Sequence, residues 1–490
     1  MKVELWGTAD SGLPIDDTHP YRSGPWRPQL NEYDAWDLDV IGEIPEDLNG
    51  VYLRNTETAL FEPIKRYHPF DGDAMLHAMS FENGEARYAN RFVRTDGFLA
   101  EQEAKQSLWA GIAEHPSNTI AEFGSGARTM MKDNASTDVV VHGGQALASF
   151  YQCGDLYAVD PRTLDDEGRA SWAGRFPTEG VSAHPKVDEH TGELLFFNYS
   201  TEAPYMHYGV VNADRELVTY VDIPLPGPRL PHDMAFTKNW SILNDLPLFW
   251  DPQALADGFY SNRFHRDMPS RFALIPRHGT AADIRWFEAA PTFVLHWTNA
   301  YEDGDEVVLE GFFQHNPTAR GVDRAKSEHK GFETLDLNVL QAKPHRWRFN
   351  LVTGQTTEEQ LSDRNMEFPM INGRHAGRRH RFSYNAIGVE DLFAFNKLVK
   401  HNVETGAEEV VDFDDGVFVS ETVMAPRDGS AAEDDGYLVT FTTDMVNDRS
   451  ECVVLDAARP TDEPVARIRL PERISSGTHA TWGPASALPT

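Results

Sequence analysis

Nineteen histidines are the residues of this 490-residue chain best suited to chemistry. A lone histidine in a loop is usually solvated or bonded to a backbone group, and most of these fit that description. No His-Glu-x-x-His, Cys-x-x-Cys, Gly-x-Ser-x-Gly or Gly-x-Gly-x-x-Gly occurs, which removes zincin, structural-zinc, nucleophile-elbow and dinucleotide chemistry. Asp-Gly-Asp at 71–73 and at 303–305 lacks the spacing and closing Glu of a calcium loop, so both read as hairpin turns. Four histidines stand apart: His184 in Ser-Ala-His-Pro-Lys, His232 in Leu-Pro-His-Asp-Met-Ala, His296 in Phe-Val-Leu-His-Trp, and His479 in Gly-Thr-His-Ala-Thr-Trp. Each closes a short apolar or β-type run. Their separations of 48, 64 and 183 residues match no local metal motif. Four imidazole ligands drawn from different parts of one fold would be spaced this way, and so would four separately packed core histidines.

The elements that would carry them are strands. Short alternating or β-branched runs recur at intervals of about 8 to 12 residues between turn signals. Ala78 to Val93 turns at Glu82-Asn83-Gly84, Thr298 to Glu310 at Glu302-Asp303-Gly304-Asp305, and Lys397 to Val411 at Glu404-Thr405-Gly406. The best amphipathic stretch is Phe98 to Ile112, where Phe98, Leu99, Leu108, Trp109 and Ile112 could share one helical face. No linker or composition shift marks a boundary, so residues 1–490 read as a single domain with 1–30 as an N-terminal extension. Many hairpins without a linker predict a closed all-β fold that hides its sheet edges, and a β-propeller fits best. A period of about 70 residues would give seven four-stranded blades, but no repeated signature is visible.

The formal charge is −33, with 40 % apolar and 11 % aromatic residues. That composition supports a large core and argues against disorder, and the acidity argues against a nucleic-acid partner. Cys153 and Cys452 are the two cysteines, too few for a disulfide framework, and they read as packing residues. Met1 to Pro14 has no apolar core of a signal peptide, and no stretch approaches about 18 uncharged apolar residues, so a cytoplasmic location is expected.

Seven motifs, taken in order, resemble the carotenoid cleavage oxygenase family, which includes the lignostilbene dioxygenases and the retinoid isomerohydrolase of the eye. They are Gly50-Val-Tyr-Leu-Arg-Asn55, His68-Pro-Phe-Asp-Gly-Asp-Ala-Met-Leu-His77, Asn90-Arg-Phe-Val-Arg-Thr95, His184-Pro-Lys186, Asn299-Ala-Tyr-Glu302, Glu367-Phe-Pro-Met-Ile-Asn372 and Gly477-Thr-His479. The resemblance runs from about residue 30 to the C-terminus. It implies a seven-bladed propeller with a cap of loops and short helices over an axial site, where His184, His232, His296 and His479 hold one Fe(2+) per chain. Acids that hold the far ring nitrogens of such ligands fall by motif at Gln152, Glu367 and Glu421. Gln152 is a departure, because the family usually has Glu there; an amide oxygen still accepts an imidazole N–H but raises ligand basicity less.

What the resemblance implies for function is a non-haem Fe(II) dioxygenase with O2 and an apolar alkene as its partners and no protein partner. It would insert both oxygen atoms across a double bond of a carotenoid or apocarotenoid and release two aldehydes. Cleavage of a stilbene or phenylpropene on the same iron site is the alternative. Thr137 matches a residue that shields an open coordination position in relatives, and it also reads as an ordinary strand threonine. Stilbene-cleaving members grip a phenolic hydroxyl with a Tyr and a Lys. The matching positions are Phe98, where the hydroxyl is missing, and Lys132, which otherwise reads as an exposed lysine. The stretch 98–112 lies where relatives touch a membrane transiently, or it packs on the fold as a helix. The basic run Arg374 to Arg381 reads as a family hairpin turn. An isomerohydrolase that consumes no O2 and a ligand-binding propeller are the further readings.

Overall fold

A computed structural model describes residues 1–112, 114–121, 131–250, 253, 262–317 and 337–489. The regular secondary structure of the described residues is almost entirely antiparallel sheet. The first sheet runs in the order Lys2–Thr8, Asn31–Trp36, Glu85–Phe92, Asp73–Glu82, Gly50–Thr58, and is completed by the C-terminal strand Ala480–Pro484. Four-stranded meanders follow: Asp138–His142 to Asp166–Arg169, Lys186–Asp188 to Leu217–Asp222, Ala235–Phe236 to Arg285–Ala289, and Trp297–Asp303 to Thr356–Gln360. The last, ten-stranded sheet contains two more such runs, Glu367–Met370 to Glu408–Asp412 and Val423–Pro426 to Ala466–Arg469, joined through the short strand Val417–Val419.

The sequence explains the gradient within each meander. Interior strands such as Glu193–Tyr199 (Glu-Leu-Leu-Phe-Phe-Asn-Tyr) are buried on both faces and are continuous apolar runs. The fourth strands, Thr356–Gln360 and Glu408–Asp412 among them, are rich in charge and largely exposed, which protects an edge against pairing with another chain. At Asn83-Gly84 both residues have positive φ (51° and 79°), the conformation of a two-residue hairpin turn.

The cores lie between successive sheets. Val51, Leu53 and Leu76 pack on Val139 and Val141; Leu147 and Ala158 on Leu194 and Phe196; Phe197 and Tyr208 on Leu243 and Ile275. Further on, Phe272 and Leu274 meet Trp347 and Phe349, Phe312 meets Val399, and Tyr384 and Leu398 meet Leu438 and Val453. Val439 and Phe441 then pack on Tyr52 and Met79 of the first sheet. The first strand of each of these six runs, together with Ala480–Pro484 of the first sheet, lines one channel of about 570 Å3.

Within residues 1–30, Lys2–Thr8 forms a strand paired with Asn31–Trp36 of the first sheet. Several expectations need correction. The helix expected over 98–112 spans only Asp96–Ala104, because Lys105 is left-handed (φ 55°) and the chain leaves helical geometry there. Phe98 is buried and stacked on Phe92, whereas Leu99 is half exposed. The first Asp-Gly-Asp is no hairpin turn: Asp71 closes a 3-10 turn capped by His68, and Asp73 opens a strand. The basic run 374–381 does connect the paired strands Glu367–Met370 and Phe382–Gly388, with Arg374 and Arg378 bound to Asp428 and Asp188. Cys153 and Cys452 are free and buried. Among the described residues no helix is long and apolar enough to cross a membrane.

Candidate metal centre

The strands that line the channel deliver the site. His184, His232, His296 and His479 stand one to three residues ahead of Lys186–Asp188, Ala235–Phe236, Trp297–Asp303 and Ala480–Pro484. One nitrogen from each imidazole falls within 4.8 Å of all the others. The three remaining first strands supply carboxylates: Asp138 opens Asp138–His142, Glu367 opens Glu367–Met370, and Glu421 precedes Val423–Pro426. Glu367 Oε2 lies 2.7 Å from His296 Nδ1, Asp138 Oδ2 lies 3.1 Å from His184 Nδ1, and Glu421 Oε2 lies 3.5 Å from His479 Nδ1. Four units thus contribute an imidazole and three an acid behind it. Among the described residues no carboxylate reaches His232.

This arrangement fits a cation. His184 Nε2 and His232 Nε2 are 3.2 Å apart, and His296 Nε2 is buried with no hydrogen-bond partner. Two nitrogens each about 2.1 Å from one ion at a right angle lie about 3 Å apart, so the spacing is that of neighbouring ligands. Burial, reinforced by the neighbouring imidazoles, holds His184 and His296 well below the usual histidine range, and burial with the charge of His479 takes His232 down to about 3. Neutral imidazole is the form a metal requires. For His479 burial also opposes the charge, but Glu421, Asp138 and Glu57 outweigh it and raise the ring. Burial pushes Glu367 up to about 8 and Asp138 up to about 6.

Two backbone outliers frame the cluster. His184 (φ 61°) and Phe368 (φ 54°) are both left-handed, which costs a non-glycine residue of order 1 kcal/mol or more. Phe368 packs its ring 4.8 Å from those of His296 and His479, so the strained turn fixes two imidazoles at once. On one side of the cluster lies the channel, reached by His184, His296 and His479. On the other, His232, His296 and His479 form part of the wall of a cavity of about 150 Å3. Phe70, Leu248, Phe293, Leu295, Phe368 and Phe393 make most of that wall, and Glu57, Thr137, Tyr151, Gln314 and Thr478 are its polar members.

The structure therefore brings together the four histidines, Glu367, Glu421 and Thr137, whose Oγ1 accepts from the Tyr151 N–H at 3.1 Å. Gln152 does not join them. It is buried, its amide nitrogen has no partner, and it bonds to none of the four imidazoles; the group found instead is Asp138, on His184. Asp138 follows Thr137 directly, and a scan for acids at the inner ends of strands would have found it. Lys132 is not exposed: it is buried between Asp73 (2.8 Å) and Glu101 (2.5 Å), which hold its ammonium and raise it despite burial. Phe98 sits with Phe92 and Met75 in a separate small core and does not line the cavity.

The family model described as retinal pigment epithelial membrane protein matches residues 26–484. A carotenoid 9,10(9',10')-cleavage dioxygenase of Crocus sativus is 32 % identical, over 94 % of this chain and 88 % of that one. An isoeugenol monooxygenase of Pseudomonas nitroreducens is 30 % identical, over 96 % of this chain and 99 % of that one. In structure, a lignostilbene dioxygenase of Pseudomonas brassicacearum superposes with a TM-score of 0.84 at 27 % identity, covering 96 % of this chain and all of its own.

Proposed function

The chain belongs to the carotenoid cleavage oxygenase family, and from that premise we propose that it is an Fe(II)-dependent dioxygenase that cleaves a carbon–carbon double bond of a carotenoid or apocarotenoid into two carbonyl compounds. It is an oxygen-incorporating enzyme, as its relatives are. The observation that carries the finer reading is the convergence of four imidazoles at the wall of a cavity made mostly of hydrocarbon. We read the fold as one seven-bladed propeller over residues 1–490, with the histidines on its axis. The six four-stranded runs with the six-stranded first sheet, the interfaces that return to that sheet and the shared channel support that reading. The short helix Leu337–Leu340 and the segments bearing Phe70 and Phe393 would form its cap.

Iron held by His184, His232, His296 and His479 supplies the O2 chemistry. The chain's own residues do the positioning. Asp138, Glu367 and Glu421 keep the Nδ1 protons of three imidazoles in place, so that each Nε2 lone pair points inward. The cavity takes the alkene by burying its hydrocarbon, at about 25 cal/mol per Å2, and rings such as Phe293, Phe368 and Phe393 hold one double bond beside the metal and exclude water.

A second reading, cleavage of a stilbene or phenylpropene, is favoured by cavity size: a volume of about 150 Å3 suits a single aromatic ring. It would not use the grip on a phenolate seen in stilbene-cleaving members, because Lys132 is already neutralised by Asp73 and Glu101. The test is reconstitution with Fe(II) and oxygen uptake on β-carotene, apocarotenals, resveratrol and isoeugenol. One iron per chain and uptake with at least one class are expected. Iron-loaded protein that consumes no O2 with any of them would overturn the proposal.

A further inference from the structure

Glu57 is the one acidic residue in the wall of a cavity made mostly of hydrocarbon, among the described residues. It lies on Gly50–Thr58, two residues beyond Asn55, whose N–H donates to the His479 carbonyl at 2.9 Å. Glu57 is 4 % exposed and lines the same cavity as Thr137, His232, His296 and His479. Its Oε1 accepts from Thr478 Oγ1 at 3.0 Å, while its Oε2 is buried with no hydrogen-bond partner. Among the described residues no Lys or Arg forms an ion pair with it.

A buried carboxyl oxygen without a donor is costly, and a cavity that only had to hold hydrocarbon would gain nothing from it. The missing element is a donor, and a bound substrate is what enters this cavity. Resting on the alkene-cleavage reading above, we propose that Glu57 is a specificity-determining residue and that the substrate is a conjugated alkene carrying a hydroxyl group that donates to Glu57 Oε2. A site built this way rejects the analogue without the hydroxyl far more strongly than an apolar pocket rejects an added group, because the analogue leaves the carboxyl unpaired.

Matched pairs test this: isoeugenol and resveratrol against their O-methyl ethers, and a hydroxylated apocarotenoid against its unsubstituted counterpart. Binding is measured without O2 on the iron-loaded protein by tryptophan fluorescence, and cleavage is measured in air. The hydroxylated member should bind about 10- to 100-fold more tightly in at least one pair. Glu57→Leu should abolish that preference, and Glu57→Gln should retain part of it, since an amide oxygen still accepts. No preference in any pair, or a preference that survives Glu57→Leu, would overturn the assignment; the first comparison needs no variant to fold. The two readings fail separately. Cleavage without hydroxyl preference removes the role of Glu57 and leaves the enzyme, whereas hydroxyl-selective binding with no cleavage removes the enzyme and leaves the site.

Discussion

Glu367 Oε2 stands 2.7 Å from His296 Nδ1, and the two residues come from neighbouring sheets, 71 positions apart in the chain. With Nε2 given to a metal, Nδ1 carries the proton and donates it to the carboxylate, which fixes the ring's orientation and raises its basicity. Glu367→Gln should therefore keep the fold and weaken iron retention by about 10- to 100-fold, read as iron lost to a chelator under titration. Unchanged retention would show that the carboxylate does not act on the metal through His296.

Asp138 and Gln152 separate geometry from motif. Asp138 is bonded to His184, whereas Gln152 hydrogen-bonds to none of the four imidazoles. Asp138→Asn should lower iron retention by about tenfold or more, and Gln152→Ala should lower it less. The reverse ranking would restore Gln152 to the position its motif suggests.

Lys132 is a structural cation. Its ammonium is shared between Asp73 and Glu101, all three buried, and its loss would leave two carboxylates uncompensated. Lys132→Met should destabilise the protein by about 3–5 kcal/mol in denaturant unfolding. A loss below about 1 kcal/mol would mean that the trio is not coupled in solution.

His380 sets part of the acid limit. Burial holds it at about 4, against 6.5 when exposed, and its Nδ1 lies 3.1 Å from the Asn299 amide. The folded state then binds fewer protons than the unfolded state below pH 6.5. This group's contribution is complete above that pH and is lost as pH falls from 6.5 toward 4, at up to about 1.4 kcal/mol per pH unit. His380→Gln should flatten the acid limb of stability against pH over that window. An identical slope in variant and parent would contradict the assignment.

The four histidines stand out because each closes a short apolar or β-type run, and Glu367 and Glu421 are placed by the family motifs they sit in. The sequence did not carry Asp138, since its partner His184 lies 46 positions away in the chain. It misplaced Lys132, whose burial depends on Asp73 and Glu101 arriving from other elements. The helix drawn over 98–112 followed apolar spacing, which does not register that Lys105 adopts positive φ. Glu57 gave no signal, because one acid in a strand acquires meaning only when the cavity beside it is seen.

The central claim is that four histidines hold an iron with which this chain inserts O2 across a double bond. Reconstituted protein, supplied with 18O2 and a cleavable alkene from the panel above, should release two carbonyl products that each carry one labelled oxygen by mass spectrometry. Label in only one product, or cleavage without label, would contradict it.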